Sequence, residues 1–237
     1  MISKVSSLLS LFILIVAGLI DTSSSIKAQD WHAFPGVQGT VTDIDGNLYQ
    51  TIKIGKQIWM MENLRTTRFN DSTQIPVVPD NEQWSKLNAP GYCWYNNRPD
   101  TYKNIYGALY NYYAVSSGRL APKGWHIPTD EDWKTLIDTL GGESIAGGKI
   151  KERSTLYWEI PNSITKDSFG FSALPGGCRF SSGQFFLLKR QGYWWISGKE
   201  SKENFAVSYS VVSFNTTAHK FYEIKTYGLS VRCIKDE

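Results

Sequence analysis

Three cysteines and three histidines are the residues best suited to nucleophilic or metal chemistry in this 237-residue chain. Their spacing supports neither. His32, His126 and His219 stand far apart, and Cys93, Cys178 and Cys233 form no Cys-x-x-Cys, so the paired ligands of a zinc site are missing. No nucleophile stands beside a base in a pattern that would activate it. Gly176-Gly177 is not a phosphate loop, because no Lys-Ser or Lys-Thr follows it. Oxygen donors are more plentiful. Asp71, Asp80, Asn81, Asn96, Asn97 and Asp100 fall in one loop-rich stretch and have the chemistry of calcium ligands. Their spacing matches no calcium loop, so a solvated loop is the preferred reading. Calcium is thus the one cofactor left open, without a motif to support it. No catalytic, cofactor-binding or metal residue is assigned. Lys123, His126 and the loop carboxylates are the nearest binding candidates. Aromatic residues make up 14% of the chain. Rings in such clusters form a core or a surface for stacking on sugars, and the core is the expected use.

The element that positions the centre of the chain runs from Gly124 to Gly142. Thr129 is a natural N-cap, and Thr-x-x-Asp is a form of the capping box. Asp130, Glu131 and Asp132 put negative charge on the first turn, where the helix dipole favours it. Trp133, Leu136, Ile137 and Leu140 make one apolar stripe, and Gly141 supplies the left-handed stop. Trp125 and Pro128 lead in from an extended segment. Trp125, Pro128, Thr129, Trp133, Gly176, Gly177 and Arg232 are accordingly expected to be structural.

Strands are expected on both sides of this helix. Val41 to Asp43 and Leu48 to Ile54 flank the turn Asp45-Gly46-Asn47, and Gly55-Lys56 suits a second tight turn before Gln57 to Glu62. Ile52, Ile54, Ile58 and Met60 are the expected buried positions. Residues 65–103 read as loop, with only Tyr92 to Tyr95 strand-like. Ile105 to Val115 reads as a second helix, although its tyrosines also suit a strand. Residues 143–168 show no period, and Gly147-Gly148 marks a loop. Phe169 to Gly177 reads as a short strand entering a glycine turn, with backbone packed under a neighbouring ring. Gln184 to Leu188 and Tyr193 to Ser197 are further strands. Phe205, Val207, Tyr209 and Val211 mark another, and Phe221 and Ile224 one more. In the last, Leu229, Val231 and Cys233 face one way, and Ser230, Arg232 and Ile234 the other.

Residues 1–28 have the order of a secretory signal: Lys4, an apolar run from Leu8 to Ile20 too short to span a bilayer, then small residues ending at Ala28. The expected organisation is a signal peptide over 1–28, a linker over 29–36 and one domain over 37–237. No second long apolar run exists, so no membrane span is expected after signal removal. The formal net charge is only +3 and no basic stripe appears, so no nucleic-acid partner is expected. Export would permit one disulfide and leave one thiol over.

Several stretches together resemble the Fibrobacter succinogenes major paralogous domain, a domain of exported bacterial proteins. They are Thr42 to Tyr49, Gln57 to Leu64, Tyr106 to Ala114, Leu120 to Trp133, Phe171 to Gly177, Gly192 to Trp195 and Ser230 to Asp236. Cys178 departs from the family, which tends to carry Tyr after the two glycines. A more distant likeness is to the formylglycine-generating enzyme superfamily, through Ile127 to Trp133, Gly176 to Arg179 and Val231-Arg232-Cys233. The fold implied is α+β and C-type-lectin-like: twisted antiparallel sheets, two short helices and long loops. The same resemblance places Cys93 and Cys233 in family-like contexts and implies a Cys93–Cys233 disulfide with Cys178 free; Cys178–Cys233 is the rival pairing.

The function implied is a non-enzymatic exported module for adhesion, or for binding a glycan or a surface protein, in the periplasm, at the cell surface or secreted. A subunit of a surface assembly with edge strands as contacts is the alternative. Enzymatic readings are weaker. The formylglycine-generating oxidases need a copper-binding cysteine pair, and Tyr193 to Gly228 contains no Cys. A hydrolase would need the nucleophile–base pair that is missing.

Overall fold

The computed structural model describes residues 36–154, 156–161, 166–198 and 203–237. The expected signal over 1–28 and most of the linker lie outside the described residues. The chain opens with a meander, β1 (Val37–Thr42), β2 (Leu48–Ile54) and β3 (Gln57–Met60). Helix α1 (Asn81–Ser85), β4 (Tyr92–Cys93), a 3-10 turn at Tyr95–Asn97, α2 (Pro99–Tyr106), β5 (Leu109–Tyr110), α3 (Tyr112–Val115) and β6 (Trp125–His126) follow. Then come α4 (Asp130–Thr139), α5 (Glu143–Ile150), β7 (Gly176–Arg179), β8 (Phe185–Leu188), β9 (Gln191–Trp195), β10 (Phe205–Val212), β11 (Ala218–Ile224) and β12 (Ile234–Lys235). The fold is α+β. Its sheets run β1-β2-β3-β12-β6, β11-β10-β9, β4-β5 and β7-β8, with antiparallel pairing between neighbouring strands.

Local chemistry closes the first two turns. The Asp43 carboxylate accepts from the Asp45 and Asn47 backbone N–H at 3.0 and 2.9 Å and from the Tyr49 hydroxyl at 2.6 Å. Gly55 takes φ +61°, which lets Ile54 pair with Gln57 across a two-residue loop. Strand alternation then separates two large cores. Tyr49 and Met60 join one with Tyr193, Trp195 and Ala206, whereas Ile52, Ile54, Trp59, Trp194, Tyr209 and Val211 join the other. Ile58, expected in the core, is only half-buried; Trp59 takes the fully buried place.

Helix α4 forms as its sequence dictates. The Thr129 hydroxyl accepts from the Asp132 N–H at 3.2 Å, and the Asp132 carboxylate accepts from the Thr129 N–H at 2.8 Å. Gly141 follows at φ +96°. Trp133, Leu136, Ile137 and Leu140 are all buried in the second core. The Trp133 ring stacks on Tyr209 at 4.8 Å and meets Trp59 edge-on at 5.6 Å.

The expectation of two helices needs correction, because five α-helices are present among the described residues. The helix expected over Ile105 to Val115 is broken. Gly107 sits at φ +74°, and a Cβ there would lie 2.7 Å from the Leu64 carbonyl, so α2 stops and β5 begins. Helix α5 occupies the stretch without period. Residue 147 is glycine because a Cβ there would meet the Thr217 carbonyl at 2.5 Å; the helix needs glycine to lie against the chain before β11. The Gly176-Gly177 pair also moves, from a turn into β7. Gly177 takes φ +64°, and a Cβ there would lie 2.9 Å from the Tyr95 ring, so the expected ring does cover it.

The terminal segment is buried on both sides. Leu229, Val231 and Cys233 enter the first core, and Ile234 enters the second. Arg232 is 1% exposed and points away from the first core. Its guanidinium donates to the Phe171 and Ser172 carbonyls and to the Asn63 amide oxygen, and lies 4.3 Å from the Phe171 ring centre. Burial lowers its pKa to about 9.

The Cys93–Cys233 disulfide is not formed; all three cysteines are free and buried. Cys93 belongs to a third core with Trp84, Tyr95 and Leu109, whereas Cys233 is packed in the first core, its carbonyl bonded to the Met60 N–H at 3.0 Å. Cys93 and Cys233 thus lie in different clusters, Cys93 beside the Arg179 guanidinium and Cys233 as a small apolar core group. The rival Cys178–Cys233 link is likewise not formed.

Candidate functional site

Of the residues that could have carried chemistry, the three thiols are buried, whereas His126 lines a cleft of about 350 Å³ with Asp132 and Asp236. Burial pushes the Cys93 and Cys178 thiols up to about 12 and raises that of Cys233 further. None is a ready thiolate at neutral pH. His126 lies between two carboxylates, with Nδ1 2.7 Å from Asp236 and Nε2 3.2 Å from Asp132. Asp132 is in turn the acidic member of the α4 capping box with Thr129, so His126 is tied into the helix start. His219 Nε2 contacts the Asn215 amide nitrogen at 3.2 Å, and His32 lies outside the described residues. Lys123 is exposed. Trp125 is half-buried against the first core, and the Pro128 carbonyl accepts from the Ser197 N–H at 2.7 Å.

The structure brings three of the six oxygen donors together. Asn81, Asn96 and Asn97 line one open groove of about 510 Å³ with Gly183, Gln184, Phe185 and Phe186. The other donors are engaged elsewhere: Asp71 accepts from Arg119 at 2.6 Å, Asp80 caps α1 through the Gln83 N–H at 2.8 Å, and Asp100 lies in the first turn of α2. Among the described residues no three His, Cys, Asp or Glu side chains gather as metal ligands.

Four elements build the groove. Helix α1 begins at Asn81, and its single buried residue, Trp84, is the anchor. The 3-10 turn presents Asn96 and Asn97 at φ +50° and +54°, a conformation that Asn tolerates better than most residues. The turn between β7 and β8 supplies Gly183, where a Cβ would lie 2.6 Å from the Asn81 Cα. Beneath lies Arg179, fully buried in β7. Its guanidinium donates to the carbonyls of Val78 at 2.5 Å, Pro79 at 2.8 Å and Gly183 at 2.8 Å, and to Asn81 Oδ1 at 2.9 Å. It also lies 4.4 Å from the Trp84 ring centre and 4.8 Å from that of Phe185. Burial lowers its pKa, and its bonds run to these neutral oxygens and to the Cys93 sulfur.

These bonds decide what the groove can offer. Asn81 spends its oxygen on Arg179, which leaves its amide N–H groups as donors. Asn97 spends its Nδ2 on the Pro79 carbonyl at 2.8 Å, which leaves its oxygen as an acceptor. Among the described residues, Asn96 and Gln184 make no side-chain hydrogen bond, so each offers both roles. Phe186 is 40% exposed and rests on Phe180 at 4.6 Å. The groove is therefore neutral amide and aromatic surface above a guanidinium. A divalent cation would lack carboxylates here and would approach a fixed positive charge.

A second cleft, of about 370 Å³, lies between the start of α4 and the β10–β11 pair. There Asp130 pairs with Lys220 at 2.6 Å and accepts from the Tyr209 hydroxyl at 3.0 Å, so its main charges satisfy one another. Arg179, Gln184, Phe185 and Phe186 were not among the expected binding residues. The one local signal was the Asn96-Asn97 pair, whose amides and backbone preference suit an exposed tight turn.

No curated protein and no solved structure matches the chain. The family model of the Fibrobacter succinogenes major domain matches residues 52–235, a span that holds the groove, the terminal segment and all but the first strands' share of the two large cores. The chain belongs to the family of the Fibrobacter succinogenes major domain.

Proposed function

We propose that this protein is a non-enzymatic binding module that takes a neutral, hydroxyl-rich ligand of the glycan class in the groove over Arg179. The observation that carries this reading is the groove's donor set: four side-chain amides beside two phenylalanines, with no carboxylate among its lining residues. Sugars present hydroxyls that both donate and accept, and apolar ring faces that stack on aromatics. Amides meet the first requirement without a charge to desolvate, and Phe186 meets the second. Tightly packed thiols are consistent with binding rather than with cysteine catalysis.

A C-type-lectin-like fold fits this role. Its support is the set of antiparallel sheets and long loops, with the likeness at Ile127 to Trp133, Gly176 to Arg179 and Val231 to Cys233. Export to the periplasm, the cell surface or the medium is proposed from the signal-like residues 1–28. Mass spectrometry of the secreted protein should find Gln29 or a near neighbour first; an intact Met1 would contradict it. A glycan array tests the binding role, with and without calcium, on the wild type and on Gln184→Ala and Asn96→Gly. The glycine variant keeps the left-handed backbone while removing the amide. Calcium-independent binding that both variants weaken is expected. Binding that neither variant changes, or no binding to any glycan, would overturn the reading.

A further inference from the structure

We propose that the outer edge of β11 is a self-association surface, on which a second copy of this chain adds its own β11 antiparallel, Phe221 opposite Phe221 and His219 opposite Glu223 in both directions. This surface is separate from the groove residues, and the proposal does not depend on glycan binding.

The edge is available. β11 is the outer strand of the β11-β10-β9 sheet. From His219 to Glu223 its backbone bonds to no element other than β10 among the described residues. Such a row of unpaired N–H and C=O groups is a template for another strand, and proteins usually blunt it with charge. Here the strand's one lysine is withdrawn, because Lys220 is ion-paired with Asp130 at 2.6 Å. The exposed rings Phe221 and Tyr222 remain, at 38% and 54% exposure.

The register follows from symmetry and charge. A two-fold axis normal to the sheet keeps each face continuous only if one residue lies opposite its own copy. With Phe221 on the axis, His219 faces Glu223 twice, Lys220 faces Tyr222 twice, and the two phenylalanines pair. Centred on Lys220, His219 would face Phe221; centred on Tyr222, it would face Lys225. Only the Phe221 register puts the opposite polar groups together.

Both of those groups are prepared for a partner. The Asn215 amide N–H can only donate, so His219 Nε2 accepts it, and the neutral ring carries its proton on Nδ1. Nδ1–H can then donate to a carboxylate across the strand pair. Glu223 is half-buried and makes no side-chain hydrogen bond among the described residues. Burial pushes its carboxyl up to about 7. A donor from the second copy would offset that cost. The added strand would join two three-stranded sheets into one of six.

One strand edge is a small contact beside the roughly 1,600 Å² of a standard interface, so association should need high concentration. Sedimentation velocity on the signal-free protein, from about 10 μM to about 1 mM, gives the test, the range being set by the free energies of weak complexes. The wild type should shift from monomer to dimer across that range. Phe221→Ser should weaken the dimer at least about tenfold, as should Glu223→Lys, while the pair His219→Glu with Glu223→Lys should restore it. Circular dichroism melts would confirm that each variant is folded, and Phe221→Ser, on an exposed ring, serves if Glu223→Lys does not fold. A monomer throughout, a dimer indifferent to Phe221→Ser, or no recovery in a folded charge-swapped pair would overturn the proposal.

Discussion

Buried polar residues set both the specificity of this fold and its response to pH. Asp167 is 1% exposed and accepts from the Ser172 N–H at 3.1 Å and the Ser172 hydroxyl at 2.8 Å. Burial outweighs those bonds and raises its carboxyl from 3.8 to about 6. The sign of the linkage follows from that direction. At the lowest pH the folded and unfolded forms both hold the proton, and the contribution is complete. As pH climbs from about 4 to about 6, the unfolded chain releases its proton first, and stability is lost. The loss should be on the order of 3 kcal/mol. Glu62, also raised by burial to about 7, acts in the same direction over a higher window. Urea unfolding at pH 4 and pH 7 should therefore show a smaller decline in Asp167→Asn than in the wild type. Equal declines would mean that Asp167 ionises normally in the folded protein. Arg232 stands nearby on the balance sheet of charge: its guanidinium is bound by the Asn63 amide oxygen and two backbone carbonyls, with Asp167 and Glu62 contributing only through their fields.

At the scale of elements, the best-read feature was the one whose causes are local. The cap at Thr129, the acidic first turn, the stripe from Trp133 to Leu140 and the stop at Gly141 all lie within one stretch, and α4 forms there. Trp133→Ala should cost about 3–5 kcal/mol, as removal of a fully buried ring does. Thr129→Ala should cost about 1 kcal/mol through the lost cap. An unchanged melting temperature in Trp133→Ala would contradict the packing of Trp133 on Tyr209 and Trp59. Elements determined by distant contacts were not legible. Helix α5 contains Gly147-Gly148, which reads as a loop until the Thr216 and Thr217 carbonyls are seen against it. Helix α1 has five residues and one buried side chain, too few to show a period. The break at Gly107 is imposed by Asn63 and Leu64, more than 40 positions earlier in the chain.

At the scale of the whole molecule, two cores share the strands between them, and the terminal segment runs from one to the other. That alternation was visible in Leu229 to Ile234, because side chains two apart share a face. The groove was not visible, since Asn81, Asn96-Asn97 and Gly183 to Phe186 are brought together only by Arg179 and the β7–β8 turn. Its amides are what the functional reading depends on. The most direct measurement is a two-dimensional ¹H–¹⁵N spectrum of side-chain amides during titration with neutral oligosaccharides. The Asn81, Asn96, Asn97 and Gln184 signals should move together and saturate, while those of Asn88, Asn104 and Asn215 stay in place. Saturable shifts confined to other amides, or no shift with any of the sugars, would contradict the assignment of the groove as the binding site.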